Sequence, residues 1–233
     1  AGDLAAALEG CKSLRLRGVA THPGQVYAAG GPEGVEEAAR EEVAALARAR
    51  DALAGRGFQA AVVAAGSTPT ARRAAASGAV TALRPGNYVF HDNVQIALGA
   101  ARPDQCALAV LATVLSRPRP DTFIIDAGSK CLGLDKGAHG SALIQGFGLV
   151  KGHPELVVAG LSEEVGKITI AATTDLAVGD KVAIIPNHAC AAANLTGWLV
   201  GHRREEVETV VAVDMRGNSH PPKSILRAGD PGI

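Results

Sequence analysis

The feature that most constrains this chain is a change of rhythm near residue 104. Before it, apolar runs of strand length alternate with segments of helical periodicity. After it, short runs rich in Val, Ile and Thr follow one another with only Gly, Pro and Asp turns between them. In the first part, "LRLRGVATHPG" (14–24) predicts a short strand and a loop. "GGPEGVEEAAREEVAALARARDALAGRG" (30–57) predicts a helix: Val35, Ala39, Val43, Leu46 and Leu53 recur at helical spacing, charges fill the other face, and Gly55 and Gly57 end it. "FQAAVVAAGSTPT" (58–70) reads as a buried strand, "ARRAAASG" (71–78) as a short helix, "AVTALRPGNYVFHDN" (79–93) as a strand and loop, and "VQIALGAAR" (94–102) as a helix. Apolar strands joined by helices predict a parallel sheet with both faces covered and right-handed crossovers. The later runs predict a mostly antiparallel β domain over residues 105–218, followed by a tail at 219–233. The fold class is thus α/β plus β.

Function in sheets of the first kind sits where strands give way to loops. Those loops are "THPGQ", "GSTPT" and "RPGNYVFHD", and all three carry polar residues. In "GSTPT", Ser67 and Thr68 stand between a strand and a helix. Hydroxyls and free backbone N–H groups there suit a phosphate; the plainer reading is a helix N-cap. No P-loop lysine motif and no GxGxxG accompany it, which disfavours a nucleotide. In "RPGNYVFHD", Pro85-Gly86 sets a turn against which a ligand can approach the backbone, with Asn87 and Tyr88 beside it; the alternative is a type II turn with a buried tyrosine.

"IIPNHACAAANL" (184–195) places His188 and Cys190 two residues apart. On an extended segment both would point the same way, and imidazole with thiolate suits zinc and similar divalent metals. Two protein ligands leave positions for water or substrate, as a catalytic metal requires. The competing reading is a turn histidine and a buried structural cysteine. In "DAGSKCLGLDKG" (126–137), Asp126 and Lys130 are candidates for orienting a ligand or meeting an anion, or the loop is only a glycine-rich turn.

Bulk properties narrow the function classes. The 23 basic and 23 acidic residues cancel, so no net field draws nucleic acid or an anionic membrane, and aromatics at 3% offer little stacking surface. Cys11, Cys106, Cys131 and Cys190 form no CxxC pair, and no signal peptide or membrane-spanning run is visible. The expected setting is reducing cytoplasm.

The order "GSTPTAR", "LRPGNYVFHDN", "DAGSKCLGLDKG", "PNHACAAAN" resembles the D-threonine aldolase and D-serine dehydratase family, which is alanine racemase-like (fold type III). The resemblance implies that residues 1–104 are the last few units of a (β/α) TIM-type barrel binding pyridoxal phosphate, with the β domain after it. It implies that Ser67 and Thr68, with backbone near Gly86 and Asn87, hold the cofactor phosphate, and that Tyr88 lies close by. Arg84 would face the pyridine nitrogen, and His22 would approach the ring or Arg84. His188 and Cys190 would ligate a divalent metal (Zn, Mn or Mg). The activity implied is lyase chemistry on β-hydroxy-D-amino acids, as a D-serine dehydratase or D-threonine aldolase, in a homodimer. The alternatives are an alanine racemase-like enzyme and a non-catalytic cofactor- or metal-binding module. In this family the Schiff-base lysine lies on the first barrel strand. Lys12, Lys130, Lys136, Lys151, Lys167, Lys181 and Lys223 do not fall there, so the chain is expected to be the C-terminal portion, with the other barrel half in the same or a separate chain. The loop "THPGQ" departs from the family pattern at His22 and Gln25.

Overall fold

A computed structural model describes residues 2–136, 142–204, 206–214 and 216. The expected tail, 219–233, lies outside them. The first part runs α1 (Gly2–Glu9), β1 (Gly18–Ala20), α2 (Pro32–Ala54), β2 (Val62–Gly66), α3 (Ala71–Ala76), β3 (Ala82–Arg84) and α4 (Asn93–Ala97). The strands form one parallel sheet in the order β1-β2-β3, with Gly18 opposite Val62 and Ala64 opposite Ala82.

The helix α2 forms where its periodicity predicts. Pro32 starts it, where a missing N–H costs nothing, and Val35, Ala38, Ala39, Leu46 and Leu53 bury one stripe. Leu46 packs with Val63, Ala65 and Ala74 in a small core between α2, α3 and β2. Gly18 is dictated by contact: at its φ of 159° a Cβ would fall 1.8 Å from the Val62 carbonyl oxygen. The expectation of burial on both faces holds for β2 alone. β1 and β3 each have a neighbour on one side only, and they are partly exposed.

The second part is a closed barrel. β4 (Val110–Arg119), β5 (Thr122–Ile125), β6 (Gly148–Val150), β7 (Leu156–Leu161), β8 (Gly166–Ile170) and β9 (Lys181–Pro186) pair antiparallel in the cyclic order β4-β5-β8-β7-β6-β9. Closure removes every sheet edge. Alternation points Phe123, Ile125, Val158, Ile168 and Ile184 inward, all fully buried, and Leu132 of α5 (Ser129–Leu132) joins that core. Each such side chain contributes about 1.5–3 kcal/mol on burial. After β9 come α6 (Ala189–Leu195) and the hairpin β10 (Trp198–Arg203) and β11 (Glu206–Ala212).

The two parts meet where α4 faces the end of β9. Asn93 Nδ2 donates to Asn187 Oδ1 at 2.8 Å, and Asn187 Nδ2 donates to the carbonyls of Asp135 (2.8 Å) and Gly146 (2.9 Å). This fully buried amide binds three loops at once. Among the described residues, no helix is long and apolar enough to cross a membrane.

Candidate active site

The C-terminal ends of β1, β2 and β3 converge on Gly66. A Cβ there would lie 2.7 Å from the Thr21 carbonyl oxygen, 3.0 Å from His22 Nδ1 and 3.3 Å from Arg84 Nη2. Arg84 donates to the Thr21 carbonyl. His22 and Arg84 are therefore brought together over a strand end that only glycine can occupy; both are exposed, as is Gln25.

Directly after Gly66, Ser67 adopts φ 85°, a left-handed conformation that costs a serine about 1–3 kcal/mol. Its side chain is buried, and its Oγ makes no hydrogen bond of ordinary geometry. It caps no helix: the N-cap of α3 is Thr70. Thr68 Oγ1 instead accepts from the Asn87 backbone N–H at 3.0 Å, joining the second loop to the third. Gly86 has φ −89°, so no type II turn forms, and the space a Cβ would enter is open. Asn87 is buried, whereas Tyr88 is 59% exposed; Tyr88 shares a cleft of about 350 Å³ with Thr68, Pro85 and His91. A larger groove, about 700 Å³, runs between the 21–25 loop and α2; it borders His22 but neither Ser67 nor His188.

Among the described residues, the buried carboxylates at this end have no cationic partner and are held by hydrogen bonds. Glu42 of α2 accepts from Thr21 Oγ1 (2.8 Å), Gly66 N–H (2.9 Å) and Thr70 Oγ1 (2.8 Å), fixing the ends of β1 and β2 together. Asp92, completely buried, caps α4 by accepting from the Gln95 N–H at 3.0 Å. Its other oxygen accepts from Asn87 Nδ2 and, at 2.9 Å, from the Ala189 N–H. Tyr27 stands in the same neighbourhood. Burial, and to a lesser degree the charges of Asp92 and Cys190, raise its phenol pKa, while nearby Ser67 and Gln95 act the other way. Among the described residues, neither polar atom of the buried Gln95 amide has a hydrogen-bond partner of ordinary geometry.

His188 and Cys190 meet by a different route from the one the extended reading supposes. Ala189–Leu195 is helical, so His188 is its extended N-cap residue and Cys190 lies in its first turn. Strand alternation does not apply; the cap geometry brings the two side chains into contact. A hydrogen bond with Cys190 is the main reason the His188 pKa is raised, with Asp135 and Asp92 adding to it. His188 Nδ1 lies 3.4 Å from Asp135 Oδ2. Cys190 is exposed, against the reading of a buried structural cysteine, whereas Cys106 is buried and its thiol is pushed up to about 11 by desolvation. Among the described residues no group of three or more His, Cys, Asp or Glu is disposed to hold a metal.

The remaining loop candidates serve structure. Asp126 Oδ1 accepts from the Thr113 N–H at 2.6 Å, and Lys130 pairs with Glu164. Sequence reasoning missed Tyr27, Glu42, Asp92, Gln95 and Asn187. Asp92 alone had a local signal, an Asp just before the 94–102 helix, but nothing local shows that its second oxygen reaches a residue 97 positions away.

Two family models match the chain: "Putative serine dehydratase domain" over residues 107–202 and "Alanine racemase, N-terminal domain" over residues 1–94. D-threo-3-hydroxyaspartate dehydratase of Delftia sp. (strain HT23) is 36% identical over 191 residues, 76% of this chain and 50% of that protein. D-serine dehydratase of Dictyostelium discoideum is 31% identical over 193 residues, 77% of this chain and 49% of that protein. The solved structure of the Delftia enzyme superposes with TM-score 0.77 at 33% identity, covering 88% of this chain and 57% of that one. Two further structures of D-threo-3-hydroxyaspartate dehydratase are of a cysteine-to-alanine mutant in the metal-free form and of a histidine-to-alanine mutant, the two positions being separated by one residue. A parallel sheet with its functional loops at one end, joined to an antiparallel barrel, is thus of the alanine racemase-like class. Within it, the chain belongs to the D-serine dehydratase and D-threonine aldolase family. It spans about half the length of the curated relatives it matches.

Proposed function

We propose that this chain carries the phosphate grip and the metal pair of a pyridoxal phosphate- and divalent-metal-dependent lyase that dehydrates β-hydroxy-D-amino acids. The carrying observation is the buried Ser67 hydroxyl on a strained strand end, which among the described residues has the Tyr27 phenol near it but no hydrogen bond of ordinary geometry, and which is joined through Thr68, Asn87 and Asp92 to the segment bearing His188 and Cys190. An uncompensated buried hydroxyl costs free energy unless a ligand satisfies it. A phosphate at that position fits, because Ser67 and the open approach at Gly86 flank it. The donor set of His188 and Cys190, imidazole nitrogen beside sulfur, fits a borderline-soft divalent cation. The spacing of the two mutated positions in the D-threo-3-hydroxyaspartate dehydratase structures, one of them metal-free, is the spacing of His188 and Cys190.

When bound, pyridoxal phosphate labilises bonds at the substrate α-carbon, and a divalent cation makes the β-hydroxyl a better leaving group. The chain's own residues do the rest. Ser67 and the backbone near Gly86 and Asn87 would hold the phosphate, with Tyr88 at the rim. Thr68 orders that backbone through its bond to Asn87. Arg84, tethered to the Thr21 carbonyl, would present a fixed positive charge to the pyridine nitrogen and keep that nitrogen unprotonated. His22, against the same strand end, is placed to orient the ring or Arg84. The half-buried Tyr27 phenol, whose pKa desolvation raises, would be available nearby as a hydrogen-bond donor.

The proposal divides the chain into residues 1–104, the latter units of a (β/α) barrel; 105–218, the β domain with the metal pair; and a tail. A companion barrel half bearing the Schiff-base lysine would close the sheet. Support comes from the unpaired outer edges of β1 and β3 and from the half-length match to relatives. Three of the described lysines have other contacts: Lys130 with Glu164, Lys181 with Thr113, and Lys136 over the Phe147 ring. A homodimer in the cytoplasm remains part of the proposal.

The test is product analysis with the complete enzyme. A keto acid and ammonia from D-serine or D-threo-3-hydroxyaspartate, abolished by a chelator and restored by metal, is the expected result. Glycine plus an aldehyde would instead mean aldol cleavage. Racemisation without metal dependence would mean a racemase-like enzyme, and no turnover with no aldimine absorbance a binding module; either sinks the proposal.

A further inference from the structure

Asp92 lies between the two halves of the site. The chain of bonds is continuous: the Asn87 N–H donates to Thr68 Oγ1 at 3.0 Å, Asn87 Nδ2 donates to Asp92 Oδ2, and the same oxygen accepts from the Ala189 N–H at 2.9 Å. Thr68, Asn87, Asp92 and Ala189 are all buried, Asp92 and Ala189 completely. In this buried, low-dielectric setting each bond is strong and its loss costly. One end of the chain is the loop proposed to grip phosphate; the other is the peptide N–H between His188 and Cys190. Capping α4 requires only Oδ1, through the Gln95 N–H. The cap does not explain why the second oxygen spans from the Asn87 loop to the start of α6.

We propose that Asp92 is a positioning residue that couples the two half-sites, so that filling the phosphate position at Ser67 and Asn87 tightens divalent-metal binding at His188 and Cys190, and metal tightens phosphate binding in return. The inference rests on the cofactor and metal reading above. Ordering the Asn87 loop fixes the Asp92 carboxylate, which fixes the Ala189 peptide and with it the first turn of α6. The second ligand then meets a segment whose ordering cost is already met. Because coupling free energies are reciprocal, the two enhancements must be equal.

The experiment titrates cobalt(II) into the protein and follows the thiolate-to-cobalt charge-transfer band, with and without pyridoxine 5′-phosphate. This analogue has no aldehyde and so does not react with lysines. Its own binding is followed by fluorescence, with pyridoxine as the control lacking phosphate. Pyridoxine 5′-phosphate is expected to lower the apparent cobalt Kd about tenfold, within the usual range of coupling. Cobalt should lower the Kd of pyridoxine 5′-phosphate by the same factor, and pyridoxine should do neither. Asp92→Asn keeps an oxygen for the α4 cap but turns an amide N–H₂ towards two donors. In this variant each ligand should still bind while the mutual enhancement disappears. If both ligands bind the wild-type protein with independent affinities, the coupling is refuted and the functional reading stands. Enhancement that persists in Asp92→Asn overturns the role of Asp92. Absence of a thiolate–cobalt band, or of saturable phosphate-dependent binding, overturns the functional reading and the inference with it.

Discussion

The antiparallel barrel and the parallel sheet handle buried polarity in opposite ways. The barrel core is Phe123, Ile125, Val158, Ile168, Ile184 and their neighbours, and its sheet is closed. The α/β part has smaller cores and buries Glu42, Ser67, Thr68, Thr70, Asn87, Asp92 and Gln95. Among the described residues, every buried side-chain polar atom without a hydrogen bond belongs to that part: Ser67, Asn87, His91 and Gln95. Stability is concentrated in one region and unspent binding capacity in the other. The His188–Cys190 pair sits on the barrel's side of the junction, and fully buried Asn187 and Asp92 fasten that junction from each side.

The sharpest way to break this comparison is to cut the barrel core. Phe123→Ala should cost about 3–5 kcal/mol in urea unfolding, as a fully buried aromatic removed from a closed core. A loss under about 1 kcal/mol would mean that the barrel is not where stability resides. A smaller and opposite effect is expected at the sheet end. Ser67→Gly relieves the left-handed strain and should raise stability by about 1 kcal/mol, while weakening pyridoxine 5′-phosphate binding through loss of the hydroxyl. Ser67→Ala should weaken binding without the stability gain; equal affinity in both variants and wild type would make Ser67 a structural residue only. The smallest effect is electrostatic. The folded His188 pKa lies above its usual value because Cys190, Asp135 and Asp92 favour the imidazolium. That contribution is therefore fully present below the unfolded pKa, and it should fade as pH rises through the folded one. The metal-free protein should lose a little stability across that window, and His188→Asn should flatten the slope. Its side chain is 38% exposed, so solvent screening keeps the effect small. A slope unchanged by the substitution would remove His188 as its origin.

Much of the architecture was legible because it is written in local periodicity. The spacing of Val35, Ala39, Leu46 and Leu53 gives α2, and the turn-separated Val and Ile runs give the barrel strands. The helix after His188 was not legible as such, since "HACAAANL" follows directly on a strand and its alanines suit a helix without marking its start. Of the candidate site, the strand-end loops and the His188–Cys190 pair stand out from residue type and order. Glu42 could not: a glutamate on a charged helix looks solvated, and only the fold turns it onto Thr21, Gly66 and Thr70. Asn187 is hidden for the same reason, since its partners are remote in sequence, and nothing local marks the burial of Gln95.

Crystals of the protein grown with zinc and pyridoxal phosphate, examined by anomalous scattering at the zinc edge, test the central claim most directly. The account predicts one strong peak about 2.0–2.1 Å from a His188 ring nitrogen and about 2.3 Å from Cys190 Sγ, with phosphate density against Ser67 Oγ. Zinc bound elsewhere, or a phosphate lodged away from Ser67 and the 86–88 backbone, would contradict it.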